Sequence, residues 1–190
     1  MRPINRKLCF LFTLLLICLV CVPALAVEYN AGGIYTISYD AAAWQIDDQT
    51  YSAEATEDYM WLFMLYNAEK DALIDASLEA VPEFEGLTLF TADEARRAAY
   101  LNATMDAFAD QEIRHLTTLT VSDYQIPFYV YVLTDEEGPF LYAETIVNGS
   151  AVAFGVYFAR GNGDAEALLP ALEEVLATFA PVIPTAEGAA

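Results

Sequence analysis

Residues 139–160, PFLYAETIVNGSAVAFGVYFAR, decide how the rest of the chain must be arranged. Two runs rich in β-branched and aromatic residues meet at Asn148-Gly149, a pair that tolerates the positive φ angles of a two-residue type I′ turn. That turn sets Val147 opposite Ser150, Thr145 opposite Val152, Ala143 opposite Phe154 and Leu141 opposite Val156. The other face then carries Phe140, Tyr142, Glu144 and Ile146 against Tyr157, Gly155, Ala153 and Ala151. Both faces read as mainly apolar, the pattern of a hairpin in the middle of a sheet covered above and below.

Working outward, the strand before the hairpin opens at Pro127, and Phe128, Val130 and Val132 alternate with Tyr129, Tyr131 and Leu133. Residues 112–121 alternate and are rich in threonine, so they read as another strand. Short loops between these runs predict an antiparallel meander. Earlier in the chain, 34–39 (IYTISY) and 59–66 (YMWLFMLY) have strand composition. In 74–81, Ile74, Ala76, Leu78 and Ala80 alternate with Asp75, Ser77 and Glu79, which predicts a strand with one wet face.

Two helices are expected. Thr91-Ala92-Asp93-Glu94 has the spacing of a capping box, and Ala95, Ala98, Leu101, Met105 and Phe108 form a stripe to about residue 110. The second helix, at about 164–179, opens on Asp164 and buries Leu168, Leu169, Leu172, Val175, Leu176 and Phe179. Pro170 kinks it or moves its regular start to that turn. Two helices and a sheet apolar on both sides predict an α+β fold, an α/β/α sandwich around a mainly antiparallel sheet.

The N-terminus has the form of a secretory leader. Arg2, Arg6 and Lys7 precede an uncharged apolar run from Leu8 to Val22, and Ala24-Leu25-Ala26 supplies a signal-peptidase site before Val27. The apolar run is short for a membrane span, though retention as an N-terminal anchor is the alternative. The expected organisation is a signal peptide over 1–26, a flexible lead-in over 27–33, a single domain over 34–180 and a loose tail over 181–190. All three cysteines, Cys9, Cys18 and Cys21, lie in the leader, so the secreted chain would carry neither disulfide nor thiolate metal site.

The formal net charge is −20. Three of the eight basic residues belong to the leader, so without it five Lys and Arg face 28 Asp and Glu. Such a field disfavours nucleic acid and anionic membrane surfaces, and suits cations, basic partner surfaces or plain solubility.

The order of elements resembles the PsbP-like superfamily, which includes the lumenal photosystem II subunit and the Ran-binding Mog family. The residues carrying the resemblance are Gly33 to Tyr39 followed by Trp44, and the closing hairpin and helix from Tyr142 to Phe179. Relatives often have proline after the first strand, where this chain has Asp40. The resemblance implies a secreted accessory or binding role and transfers no functional residue.

A search for chemistry yields little. His115 is the one histidine, in a Thr-rich strand and without a G-x-S-x-G elbow. One imidazole and no thiol outside the leader do not make a zinc site. Asp135-Glu136-Glu137 at a hairpin tip could hold Ca²⁺ weakly, although a charged, solvated turn is the better reading. Arg160-Gly161-Asn162-Gly163 lacks the lysine and full glycine pattern of a phosphate loop. The sequence therefore points to a secreted, non-enzymatic acidic domain without cofactor, binding a protein or small ligand. A weak Ca²⁺-binding or envelope-associated accessory protein is the alternative, and a carboxylate-dependent hydrolase is third. Tyr35, Trp44, Tyr142, Glu144 and Tyr157 are the candidate ligand surface; no catalytic or metal residue is assigned.

Overall fold

The computed structural model describes residues 26–48, 59–121 and 123–182. The expected leader up to Leu25, Ala24 included, and the tail beyond Val182 lie outside them. The strands are β1 (Ala26–Ala31), β2 (Tyr35–Asp40), β3 (Gln45–Asp47), β4 (Tyr59–Asn67), β5 (Ala72–Ala80), β6 (Glu112–Val121), β7 (Ile126–Asp135), β8 (Gly138–Val147), β9 (Ser150–Phe158) and β10 (Ala180–Pro181). Helix α1 (Glu94–Ala107) lies between β5 and β6, and α2 (Leu169–Leu176) follows a 3₁₀ turn at Ala165–Leu168. Among the described residues no helix is long and apolar enough to cross a membrane.

Seven strands form one antiparallel sheet in the order β3-β4-β5-β9-β8-β7-β6, and β1-β2-β10 form a second. The central hairpin has the register its turn dictates, with Val147 opposite Ser150 and Leu141 opposite Val156. Asn148 and Gly149 take φ angles of 47° and 79°. Residues expected as a flexible lead-in, 27–33, instead supply most of β1, which pairs with β2 from Ala26↔Asp40 to Ala31↔Tyr35.

The α/β/α sandwich is overturned: this is a β-rich fold of two antiparallel sheets with two helices. The two faces of the large sheet explain why. On one, Phe63, Leu65, Ile74, Phe128, Val130, Phe154 and Val156 are buried with Tyr35 and Ile37 of β2 and with Leu172, Val175, Leu176 and Phe179. Each large side chain there contributes roughly 1.5–3 kcal/mol by leaving water. The layer over this face is the small sheet together with the eight-residue α2, not a layer of helices.

The opposite face is not the apolar surface expected. Asp75, Tyr142 and Tyr131 occupy one row across it, and Ser77, Glu144 and Tyr129 the next. Asp75 and Ser77, expected on a wet face, are both buried. Helix α1 crosses this face without burying its alanine stripe: Ala95, Ala98 and Met105 are exposed, and Thr104 is its one buried residue. Its start also differs. Asp93 is the N-cap and accepts from the Arg96 amide at 2.8 Å, whereas Thr91 accepts from the Thr88 amide. In the second helix, Asp164 caps the 3₁₀ turn and Pro170 falls in the first turn of α2, where its missing amide costs no hydrogen bond.

Candidate functional site

The five candidate residues do not converge on one site. Tyr35 is fully buried, stacked on Phe179 at 4.9 Å and edge-on to Phe154 at 6.0 Å. Its hydroxyl has no hydrogen-bond partner among the described residues, so it works as a core aromatic. Trp44 packs in the same core and donates from Nε1 to Glu174 Oε1 at 2.9 Å. Its edge lines a hollow of about 200 Å³ with Tyr39, Glu174 and Thr178. Partial burial works to raise the Glu174 pKa, but the hydrogen bonds from Lys70 and Trp44 outweigh it and hold the carboxyl below its ordinary value. Ala26 and Val27, either side of the expected cleavage point, are exposed at the start of β1.

Tyr142, Glu144 and Tyr157 do share a face of the large sheet, and Asp75 joins them. The alternation of β5 and β8 puts both carboxylates there, two strands apart with β9 between. Small residues on β9, Ala153 and Gly155, leave room for the acids on either side. Asp75 is 8% exposed, and its Oδ1 accepts from the Gly155 amide at 2.9 Å. Burial pushes its pKa up to about 7, although hydrogen bonds from Gly155 and Tyr157 work the other way. Glu144 is 2% exposed and receives the Tyr100 hydroxyl of α1 on Oε2 at 3.0 Å. Burial raises it to about 7 too; Thr104, Tyr100 and Tyr131 favour its ionised form, and the charge of Glu79 opposes it. Oε1 has no partner with full hydrogen-bond geometry. Burial, followed by the Glu144 charge, raises the phenols of Tyr100, Tyr131 and Tyr142. For Tyr157, burial leads and the charge of Asp75 follows.

Raised carboxyls in a cleft are the usual mark of acid–base chemistry. Here Glu144 lies beneath α1, with Phe84 packed on Tyr100 at 5.6 Å and Phe108 on Tyr142 at 5.0 Å. Together these neighbours leave Glu144 2% exposed. His115 is exposed on β6, beside Tyr131 at 5.6 Å and Thr118 Oγ1 at 3.3 Å, and Tyr131 separates it from the Glu144 strand. At the hairpin tip, Asp135 Oδ1 accepts from the amides of Glu137 and Gly138 at 2.7 and 3.0 Å, so that oxygen already closes the turn. The described residues hold no group of three or more His, Cys, Asp or Glu placed to share a metal ion.

A concave site of ligand size lies where none of the five candidates stands. A cavity of about 460 Å³ is lined by Leu87, Phe90, Ile126, Val147, Pro181 and Val182, with Thr88, Thr91 and Asn148 as polar neighbours. The segment after β5 builds one wall and is stapled to the hairpin turn. Asn148 N donates to Leu87 O at 2.8 Å, Val81 N to Gly149 O at 2.8 Å, and Gly86 N to Asn148 Oδ1 at 3.0 Å. Phe84, Leu89, Ala92 and Ile146 pack beneath it. At the rim, Phe90 is 63% and Tyr124 50% exposed, and Val182 is exposed as well. The signal for this wall was Leu87, Leu89 and Phe90 crowded into a stretch that belongs to neither strand nor helix.

In comparisons with known proteins, the sequence matches no family model and no curated protein. Among solved structures, a crystal structure from Bacteroides thetaiotaomicron VPI-5482 aligns at 13% identity and a TM-score of 0.40. The alignment covers 81% of this chain and 47% of that one, so the chain spans about half the length of that protein. Likeness at this level fixes neither fold nor activity, and it says nothing of the PsbP-like superfamily.

Proposed function

We propose that the protein is a non-enzymatic, extracytoplasmic binding domain that takes an apolar side chain from a basic segment of a partner protein into the Leu87–Phe90–Val147–Pro181 cavity. The observation that supports this reading is the gathering of exposed Phe90, Tyr124 and Val182 around one apolar cavity. Its volume falls in the range of ligand pockets, and aromatics at a rim are typical of binding surfaces. Charge argues for the chemistry of the partner. A chain at −20 attracts basic segments, and Glu85 and Asp123 adjoin the lining residues Gly86 and Tyr124 in sequence. Arg97 of α1 donates from Nη1 to the Phe90 carbonyl at 3.5 Å. The resemblance to PsbP-like accessory factors, drawn from the order of elements, agrees with such a role, though the sandwich expected alongside it is overturned.

A short amidated peptide with one leucine between lysines is the probe, titrated against the labelled protein by NMR. Saturable shifts at Leu87, Val147 and Val182, weakened at least fivefold by Phe90→Ala and by 0.5 M salt, are expected. Absence of saturation at millimolar peptide, or an unchanged affinity in Phe90→Ala, overturns the reading. Stronger binding of an uncharged fatty acid than of the peptide would replace the protein partner with a small apolar ligand.

A further inference from the structure

Glu144 is placed as no surface carboxylate is. It lies beneath α1, 2% exposed, with one oxygen on the Tyr100 hydroxyl and the other without a properly aligned partner. Among the described residues no cation compensates it. Tyr100 and Thr104 face it from α1, Tyr131 from β7, Tyr142 from its own strand, and Glu79 supplies the nearby charge from β5. Beside it, β9 offers Ala153 and β7 offers Tyr129 across the ladder. Of the helix's two arginines, Arg96 is exposed and Arg97 points to the Phe90 carbonyl.

The helix over this group is weakly held. Thr104 is its one buried residue; Tyr100 and Thr104 meet Glu144, Phe108 packs on Tyr142, and the Tyr100 ring rests on Phe84 of the segment after β5. We propose that α1 is a proton-operated latch, seated on the sheet while Glu144 is protonated and released when that carboxyl ionises. An unpaired buried carboxylate is costly in low dielectric, and the least costly way to hydrate it is to lift the cover that fewest apolar contacts hold. The cavity wall at 86–91 is stapled to the hairpin turn, but Tyr100 packs on the Phe84–Leu89 cluster beneath it, so lifting α1 would remove part of that wall's support. Release would bare Tyr129, Tyr131 and Tyr142.

Hydrogen exchange of the intact protein at pH 5.5 and pH 8.5, corrected for intrinsic rates, tests this. The amides of 97–107 should lose protection at least tenfold at pH 8.5, while β8 and β9 keep theirs. Glu144→Gln should hold α1 down at both values, and Asp75→Asn should leave the release intact. Equal protection of α1 at both pH values, or an unchanged loss in Glu144→Gln, overturns the latch. Should the Gln variant fail to fold, carbon-13 titration of the Glu144 carboxyl in the native chain decides: a midpoint near that of an exposed glutamate overturns it, and one near neutrality supports it.

Discussion

Gly155 exists as a glycine because of Asp75. The Asp75 carboxylate sits over the Gly155 amide at 2.9 Å, and a β-carbon at position 155 would lie 2.5 Å from both Asp75 Oδ1 and the Tyr157 hydroxyl. In the middle of a strand, glycine costs conformational entropy and packs poorly, so its presence there marks a close approach.

Gly155→Ala should therefore destabilise the protein by about 2–3 kcal/mol, since the new methyl must displace the carboxylate or the phenol. Urea denaturation measures it. A loss below 0.5 kcal/mol would mean that Asp75 moves aside freely.

Stability should fall as pH rises through the range of Asp75. Its folded pKa, about 7, lies above the ordinary 3.8. Below the lower value both states hold the proton and the contribution is complete. Between the two, the unfolded chain gives the proton up first, so folding is progressively disfavoured until the folded carboxyl ionises near neutrality. Asp75→Asn should flatten this slope, with the difference between pH 4.5 and pH 8 reaching about 1–3 kcal/mol. Urea midpoints of the wild type and variant across that range provide the check. Parallel curves would show that Asp75 does not titrate there.

Tyr35→Phe should be neutral or stabilising by about 0.5–1 kcal/mol, against the usual direction of core substitutions. The hydroxyl removed is fully buried and lacks a partner among the described residues, so its desolvation is relieved while the stacking on Phe179 stays. A lowered melting temperature would point to a bound water on that oxygen.

Trp44→Phe should cost about 1–3 kcal/mol through the lost Glu174 bond and packing, yet leave peptide affinity at the Phe90 cavity unchanged. Parallel thermal melts and peptide titrations separate the two effects. A tenfold loss of affinity with an unaltered melting temperature would return Trp44 to the ligand surface.

The central hairpin was legible because Asn148-Gly149 admits one turn and hence one register. The helix layers were not. Period-two patterning shows that Asp75, Ser77 and Glu79 share a face, but cannot show that Gly155 and Ala153 on the adjoining strand let Asp75 and Ser77 be covered. Likewise the alanines of α1 have a plausible helical spacing, yet Tyr100 and Thr104 follow Glu144, since a phenol and a hydroxyl can meet a buried carboxyl. The hairpin register put Tyr142 and Glu144 on one face, as found, while nothing in the pattern brought Asp75 to them. The Phe90 cavity draws on segments 86–91, 124–126, 147–148 and 181–182, far apart in sequence, and only the closing of the sheet brings them together.

Strand β6 ends the large sheet, ten residues long, with no described strand on its outer side. Such a rim invites a second copy to add itself, and this one is guarded. Leu116 is an extra residue in the ladder between His115 and Thr117, so the strand is kinked midway, and Arg114 beside it is tied to Glu166. Removing Leu116 would straighten the border and offer a continuous row of amides and carbonyls to a neighbour. A β6 shortened by that residue should therefore assemble edge to edge even at low salt, where the acidity of the chain repels a second copy most strongly.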